Sequence, residues 1–407
     1  MKLFRFRNES RNQRGATLVL IAICMFVFIA FAALAIDIGH LVVTRNELQN
    51  ASDAGALAGA QALYLPGSRQ VNEGANIEAR DAAMANKSEK AAVEVSETVD
   101  VQRGHWNNTA RVFTPNDSIE FPAITGPIDE IDIDNDTRFV NAVRVTAHRN
   151  NTPVTSFFAR IFGFDSFKQR ATAIAYCGPA GTLKPLEADF PIVICAQAIR
   201  GWGYSSKYDC SIGRMINSGG NDDTHNTGGW TDFNQVNPCQ GGTNAATMKQ
   251  LATQACGGRG LNPEPVVSGL DIATNGGEIQ NVLDKLAACF RGRTVPWRIT
   301  VPVVDCDQNN ITKCETVVGA ITLDILAIND ENQDNDYSNV PAVMDGWTNT
   351  GTAGTIAAWE AFKAHFNLPS EYLGKTIYFR PNCDGEYAGV TGGKFFGVFA
   401  RIPVLVE

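Results

Sequence analysis

From Gly15 to Ile36 the chain runs for 22 residues without a charged side chain. At about 1.5 Å per helical residue that is enough to cross a hydrocarbon layer of about 30 Å. Lipid offers the backbone no hydrogen-bond partners, so the segment is predicted to be one membrane-spanning helix. Past Asp37 the pattern turns amphipathic: Ile38, Leu41, Val42, Leu48, Ala51, Gly55, Ala58 and Ala62 recur at three- and four-residue steps. No proline interrupts the chain between Gly15 and Leu65, and Pro66-Gly67 closes the run. One helix from Ala16 to Leu63, about 70 Å long, is therefore expected. Its outer half carries a small-residue stripe, Ala51, Gly55 and Gly59, that lets another element approach closely. Packing on the chain's own first domain is a simpler reading of that stripe than a face for helix–helix assembly.

The pattern further on alternates between periods. Residues 68–92 read as a helix, Val93–Val101 as an alternating strand, and Ala110–Phe113 and Phe139–Ala147 as strands, with another alternating run over Asp129–Asp136. Val154–Phe164 reads as a helix and Gln169–Tyr176 as a strand, which gives an α+β module packed on the outer half of the long helix. Gly178-Pro179-Ala180-Gly181 marks a boundary. Beyond it Phe190–Cys195 reads as a buried strand, about Ser211 to Thr247 as a polar loop, and Glu278–Phe290 and Thr355–Phe366 as helices. Strands are expected at Arg298–Val304, Thr316–Ala327, Ile377–Arg380 and Phe395–Val406. The predicted fold class is α+β: a tail at 1–14, a span at 15–36, a module at 37–177 and a β-rich second domain at 182–407.

Charge orients the span. Lys2, Arg5, Arg7, Arg11 and Arg14 precede it, whereas the far side opens on Asp37, so residues 1–14 are placed in the cytoplasm and residues 37–407 outside. Ala33-Leu34-Ala35 resembles a signal-peptidase site, yet the apolar core exceeds an ordinary signal and the helical pattern continues through the cut, which favours a retained anchor. The net charge of −9 and a pI near 5.2 argue against a nucleic-acid partner.

Ten cysteines sharpen the division. Cys24 lies in the span, residues 37–176 have none, and nine fall between Cys177 and Cys383. In an oxidising compartment this predicts a cysteine-free module followed by a disulfide-stapled one, with at least one thiol left over. Cys306 and Cys314, flanking a short polar loop, are the first candidate pair.

Chemical motifs are sparse. The acidic run IDEIDIDNDT could supply oxygens to a hard cation, but as a strand it puts Asp132, Asp134 and Asp136 on one solvated face. Asp330, Asn332 and Asp334 stand at EF-hand-like spacing without the loop glycine or the closing glutamate. Asp305 follows a hydrophobic strand, but Asp305-Cys306-Asp307-Gln308-Asn309 lacks the hydroxyls of a D-x-S-x-S metal site. Trp202, Tyr204, Tyr208 and Trp230 could form an aromatic surface, though packing beneath cysteine-tied loops is the simpler reading. No nucleophile elbow, zincin motif, phosphate loop or dinucleotide fingerprint occurs, so no catalytic residue, cofactor, metal or small-molecule substrate is assigned.

The polar positions around the span are more specific. Arg14-Gly15 precedes it, Ala35, Asp37 and Gly39 form Ala-x-Asp-x-Gly at its outer end, and Leu48, Gln49, Asp53, Ala54, Leu57 and Ala58 follow. This segment resembles the N-terminus of TadG-like proteins of the Tad (tight adherence, or Flp) pilus system. Residues 141–176 are similar to the end of the pilin-like module of such proteins. The resemblance implies a non-enzymatic bacterial inner-membrane protein, single-pass, with a large extracytoplasmic part that works with pilus assembly proteins or pilus subunits. An anchored adhesin or ligand-binding module is the alternative. Arg14-Gly15-Ala16 also resembles a prepilin cleavage junction, but Leu20 stands where type IV pilins carry glutamate, so the Gly15–Ala16 bond is expected to stay intact.

Overall fold

The long apolar and amphipathic stretches do form one element. In the computed structural model, helix α1 runs unbroken from Arg14 to Gln61. The structure describes residues 14–64, 70–124, 128–199, 207–208, 213–217, 228–236, 238–240, 244–276, 280–306, 311–330, 337–352, 354–368, 375–382 and 386–406. The tail at 1–13 and Pro66-Gly67 therefore lie outside the described residues. The apolar half of α1 is bare, and the outer half lies across helix α2 (Ala75–Met84) and an antiparallel sheet.

That sheet contains β1 (Val101–Asn107), β2 (Val112–Pro115), β3 (Ala142–Thr155) and β4 (Ser166–Tyr176). β3 and β4 form a long hairpin, in register from Ala142↔Tyr176 to Arg149↔Gln169 and again at Thr155↔Ser166, with an irregularity between Arg149 and Val154. Between α2 and the sheet, α1 buries a core of small residues: Leu48, Ala51, Ala56, Ala60, Ala75, Ala79, Ala83, Val143 and Val145. Such side chains bury little area each, and compensate by letting the backbones approach.

Several local expectations fail here for tertiary reasons. Residues 68–92 hold a shorter helix, because Glu89 and Lys90 take positive φ in a tight turn. Val93–Val101 is mostly turn rather than strand: the Asp100 carboxylate accepts the Ser96 N–H at 2.8 Å and Glu94 is drawn to the 150–152 backbone. Such side-chain bonds compete with a strand ladder. Val154–Phe164 finishes β3 and then makes only a 3₁₀ turn, Ala159–Phe162. The acidic run is no strand but helix α3 (Glu130–Asn135), opened by a capping box between Asp129 and Asp132.

The second module is built on a different plan. Its strands are β5 (Ile192–Cys195), β6 (Arg214–Asn217), β7 (Gly228–Thr231), β8 (Asp271–Asn275), β9 (Trp297–Asp305), β10 (Cys314–Asn329) and β11 (Thr376–Pro381). They pair in the order β8-β7-β5-β9-β10-β11-β6, and β8 also pairs with β10. Five strands thus close on themselves, while β11 and β6 extend the sheet from β10 and leave β6 at its edge. Only β5 and β9 run parallel within this sheet. Helices α4 (Ala245–Ala255), α5 (Gln280–Phe290) and α6 (Ile356–Phe366) cover it, α4 having no counterpart in the sequence reading. The core here is large: Trp297, Trp359, Phe190, Phe362, Phe379 and many branched aliphatics.

Among the described residues three disulfides staple this module: Cys195–Cys306, Cys239–Cys314 and Cys256–Cys289. The expected Cys306–Cys314 pair is overturned. Both residues flank one loop, but β5 runs beside β9 and brings Cys195 to Cys306, with Cα atoms 5.5 Å apart. Among the described residues Cys24 and Cys177 are free thiols; Cys210 and Cys383 lie outside them.

The two modules share a seam. Gly178-Pro179-Ala180-Gly181 is not a loose linker: a Cβ on Gly181 would sit 2.4 Å from the Gly392 carbonyl carbon, so two backbones touch there. The closing run Phe395–Val406 splits, and its last strand β12 (Val404–Leu405) joins β4 of the first sheet, opposite Tyr176 and Ala175. Phe121 and Phe139 pack edge-on or tilted against Phe399, and Tyr64 at the end of α1 stacks on Tyr387 at 4.4 Å.

Candidate functional site

Part of the residues singled out along α1, from Asp37 to Gly59, lie on a seam where the helix meets the β3–β4 hairpin and α2. Asp37, first after the apolar segment, is 4% exposed. Its carboxylate accepts the backbone N–H groups of Phe157 at 2.8 Å, Phe158 at 3.0 Å and Ala159 at 2.6 Å. Desolvation would raise its pKa, but these three donors, with His40 nearby, outweigh it and hold the carboxyl below the ordinary aspartate value. Asp37 therefore caps the hairpin tip from outside the tip's own sequence.

Further up, Gln49 donates from Nε2 to Asp53 Oδ1 at 2.8 Å and to the Thr172 carbonyl at 3.2 Å. Ala51 is fully buried and Leu57 packs half-buried on the same core. Gly55 and Gly59 have no room for a side chain: a Cβ would lie 2.8 Å from the Ala79 carbonyl oxygen at Gly55, and 2.7 Å from the Ala79 Cβ at Gly59. Gly39 differs, since a Cβ there meets nothing within 4 Å, and packing inside this chain does not demand its glycine. Arg14 and Gly15 begin α1, and Ile36 closes its exposed apolar half.

Two further residues of the seam were not anticipated. Ser52 donates to the Ala171 carbonyl at 2.9 Å and accepts the Ala147 N–H at 3.1 Å, so one hydroxyl ties α1 to both hairpin strands. Its spacing from Leu48, Gly55 and Gly59 was the available signal. Cys177 donates its thiol to the Ala60 carbonyl at 3.2 Å, and burial pushes its pKa up to about 12. At the outer end the Tyr64 hydroxyl donates to the Val140 carbonyl.

The stretches with possible metal chemistry are spoken for. Asp134 accepts from the N–H of Asn108 and from Thr109 N–H and Oγ1, Asp136 pairs with Arg138, and the Lys207 ammonium 2.7 Å from Asp132 holds that carboxyl below its usual range. Asp330 pairs with Arg291 at 3.0 Å, while residues 331–336 and 307–310 lie outside the described residues. Asp305 accepts a bond from Gln197 at 3.2 Å. Among the described residues no group of three metal-ligating side chains occurs. Tyr208 and Trp230 are buried rather than displayed, and Trp202 and Tyr204 fall outside the described residues. A cleft of about 350 Å³ between the modules is lined by Asn108, Thr109, Glu130, Asp134, Tyr176 and Thr391, and in it the Thr109 hydroxyl donates to the Asp134 carboxylate, which the Asn108 and Thr109 N–H groups also hold.

A long helix with a bare apolar half, clamped by a buried aspartate to an α+β module, defines the class: a pilin-like module on a helix long and apolar enough to cross a membrane. Residues 15–62 match the family described as TadE/G-like Flp pilus-assembly, and residues 58–175 match that described as Tad-like Flp pilus-assembly. The two matches span residues 15–175 and support a TadG-like Tad/Flp pilus assembly protein, and the stapled module lies beyond both. No curated protein and no solved structure matches the chain.

Proposed function

We propose that this protein is a single-pass structural component of a Tad/Flp pilus assembly apparatus, held in the bacterial inner membrane by residues 15–36. Residues 1–14 remain in the cytoplasm, and both modules stand outside it. The observation that carries this reading is the contrast within α1. Its apolar half is exposed along nearly its whole length, whereas its outer half is bonded into the first module from Asp37 to Ala60. Three disulfides in the second module favour the same orientation, because such bonds persist in oxidising compartments. The helix is kept as a permanent tether, with the Gly15–Ala16 bond intact, and the outer modules contact other assembly proteins or pilus subunits rather than turning over a substrate.

Topology and role are tested together. Protease added to spheroplasts is expected to digest the modules and leave a small membrane-protected N-terminal fragment. Cells lacking the protein are expected to lose Tad pili and adherence; normal piliation would remove the assembly role. A mature protein starting at Ala16 would overturn the tether.

A further inference from the structure

The tip of the β3–β4 hairpin displays apolar side chains that none of the described residues covers. Ile161 and Phe162 are 76% and 75% exposed, Phe164 is 59% and Phe157 is 52%. Hairpin tips facing water are ordinarily polar, and a contiguous apolar tip calls for a cover. Its position says which. The tip's backbone is bonded to Asp37, the residue that follows the apolar segment, and the Phe157 ring lies 5.0 Å from that of His40. One turn earlier, Ala33 is half-buried while its neighbours from 17 to 36 are exposed, and it lies on the same helix face as Asp37. The tip therefore sits against the outermost turn of the apolar helix, about 39 Å along α1 from the buried Leu63.

We propose that Phe157–Phe164 is a second membrane contact, inserting its aromatic and aliphatic side chains into the interfacial layer of the bilayer beside α1. The inference rests on the reading of residues 15–36 as a membrane span. Amphipathic elements that lie in this layer combine apolar side chains with flanking cations that reach lipid phosphates. Arg160 within the apolar tip and Lys168 just beyond it are both exposed, with Asp165 between them. A helix alone lets a module swing about its tether. Two attachments joined by the Asp37 carboxylate fix how the first module stands on the membrane, and hence where the stapled module is presented.

The test uses the full chain with Cys24→Ser, reconstituted in vesicles of three parts phosphatidylcholine to one part phosphatidylglycerol. An environment-sensitive fluorophore is attached in turn at Phe162→Cys, Ile161→Cys, Leu34→Cys and Val112→Cys, with the Cys24→Ser protein as blank. Quenching by lipids spin-labelled near the glycerol level is the readout. The expected result is quenching at Phe162 and Ile161 of at least about half that at Leu34, independent of the protein-to-lipid ratio, with none at Val112, which is exposed at the far end of the sheet. Quenching at Leu34 without quenching at Phe162 and Ile161 overturns the inference while leaving the span intact. Absence of quenching at Leu34 overturns the span and the inference with it. Shielding of Phe162 that grows with protein density assigns the tip to a protein partner and also overturns the proposal.

Discussion

The two modules solve the problem of cohesion in different ways. The first is held by close approach: a helix with Gly55, Gly59 and alanines pressed on α2 and a hairpin, with single hydroxyls and carboxylates tying backbone across the seam. The second is held by bulk and covalent bonds: tryptophans and phenylalanines fill a closed sheet, and three disulfides join strands and helices distant in sequence. Small side chains make the first module intolerant of added volume and dependent on α1, and so on the apolar segment continuous with it. Large side chains and staples let the second stand further from that support.

The sharpest way to separate the two is reduction. Breaking the three disulfides is expected to cost the second module roughly 2–5 kcal/mol for each bridge, whereas the first loses nothing directly. Hydrogen exchange before and after reduction should open β5, β9 and β10 while β3 and β4 stay protected. Equal opening of both would mean that the seam couples them into one unit. The converse perturbation is Gly59→Leu, which forces a side chain against Ala79 and Val143. It is expected to destabilise the first module by about 3 kcal/mol in denaturant unfolding, and Gly39→Leu, in open space, by close to nothing.

Acid provides a milder contrast of opposite sign. The Glu94 carboxylate is partly desolvated, but bonds from the backbone and side chains of Asn151 and Thr152, with Asn150 N–H, bring its pKa down to about 2. Because the folded value lies below the unfolded one near 4.5, its stabilisation is complete above 4.5 and fades as pH falls toward 2. Asp189 in the second module is raised by burial to about 6, against the Thr300 N–H that it accepts and with Glu187 adding to the rise. Its folded state takes up a proton first, so the second module gains stability as pH falls from about 6 toward 3.8. Region-resolved unfolding should show these opposed slopes, and Glu94→Gln should flatten the first. The smallest effect is on chemistry alone: buried Cys177, with its pKa near 12, is expected to resist alkylation in the native protein and to react once unfolded.

Much of the long helix was legible because its information is local. Twenty-two uncharged residues, an unbroken run without proline and a three-to-four-residue period specify α1 whatever surrounds it. Strands β9 and β10 and helices α5 and α6 were legible for the same reason, as periodicity over a dozen residues reports one buried face. The candidate seam was legible only in outline. Asp37 stood out by its position at the end of the span, yet its three backbone donors lie 120 to 122 residues away.

What failed was local pattern overruled by such distant partners. Val154–Phe164 has the period of a helix, but Val154 and Thr155 are held in the ladder opposite Phe167 and Ser166, and Gly163, at φ 88°, ends the single 3₁₀ turn that follows. IDEIDIDNDT alternates like a strand, but the Asp129 cap turns it into a helix whose Asp134 is claimed by Asn108 and Thr109. Cys306 looked toward its neighbour Cys314, but parallel pairing of β5 with β9 set it beside Cys195. The sequence by itself determined which segments are apolar, how long they run and where cysteines are permitted, because hydropathy and chain stiffness are properties of neighbours along the chain. Only the tertiary structure decided which carboxylate meets which amide, which thiols meet, and that the apolar hairpin tip lies at the end of the span. Those outcomes depend on closing loops of 25 to 122 residues, and no local energy encodes them.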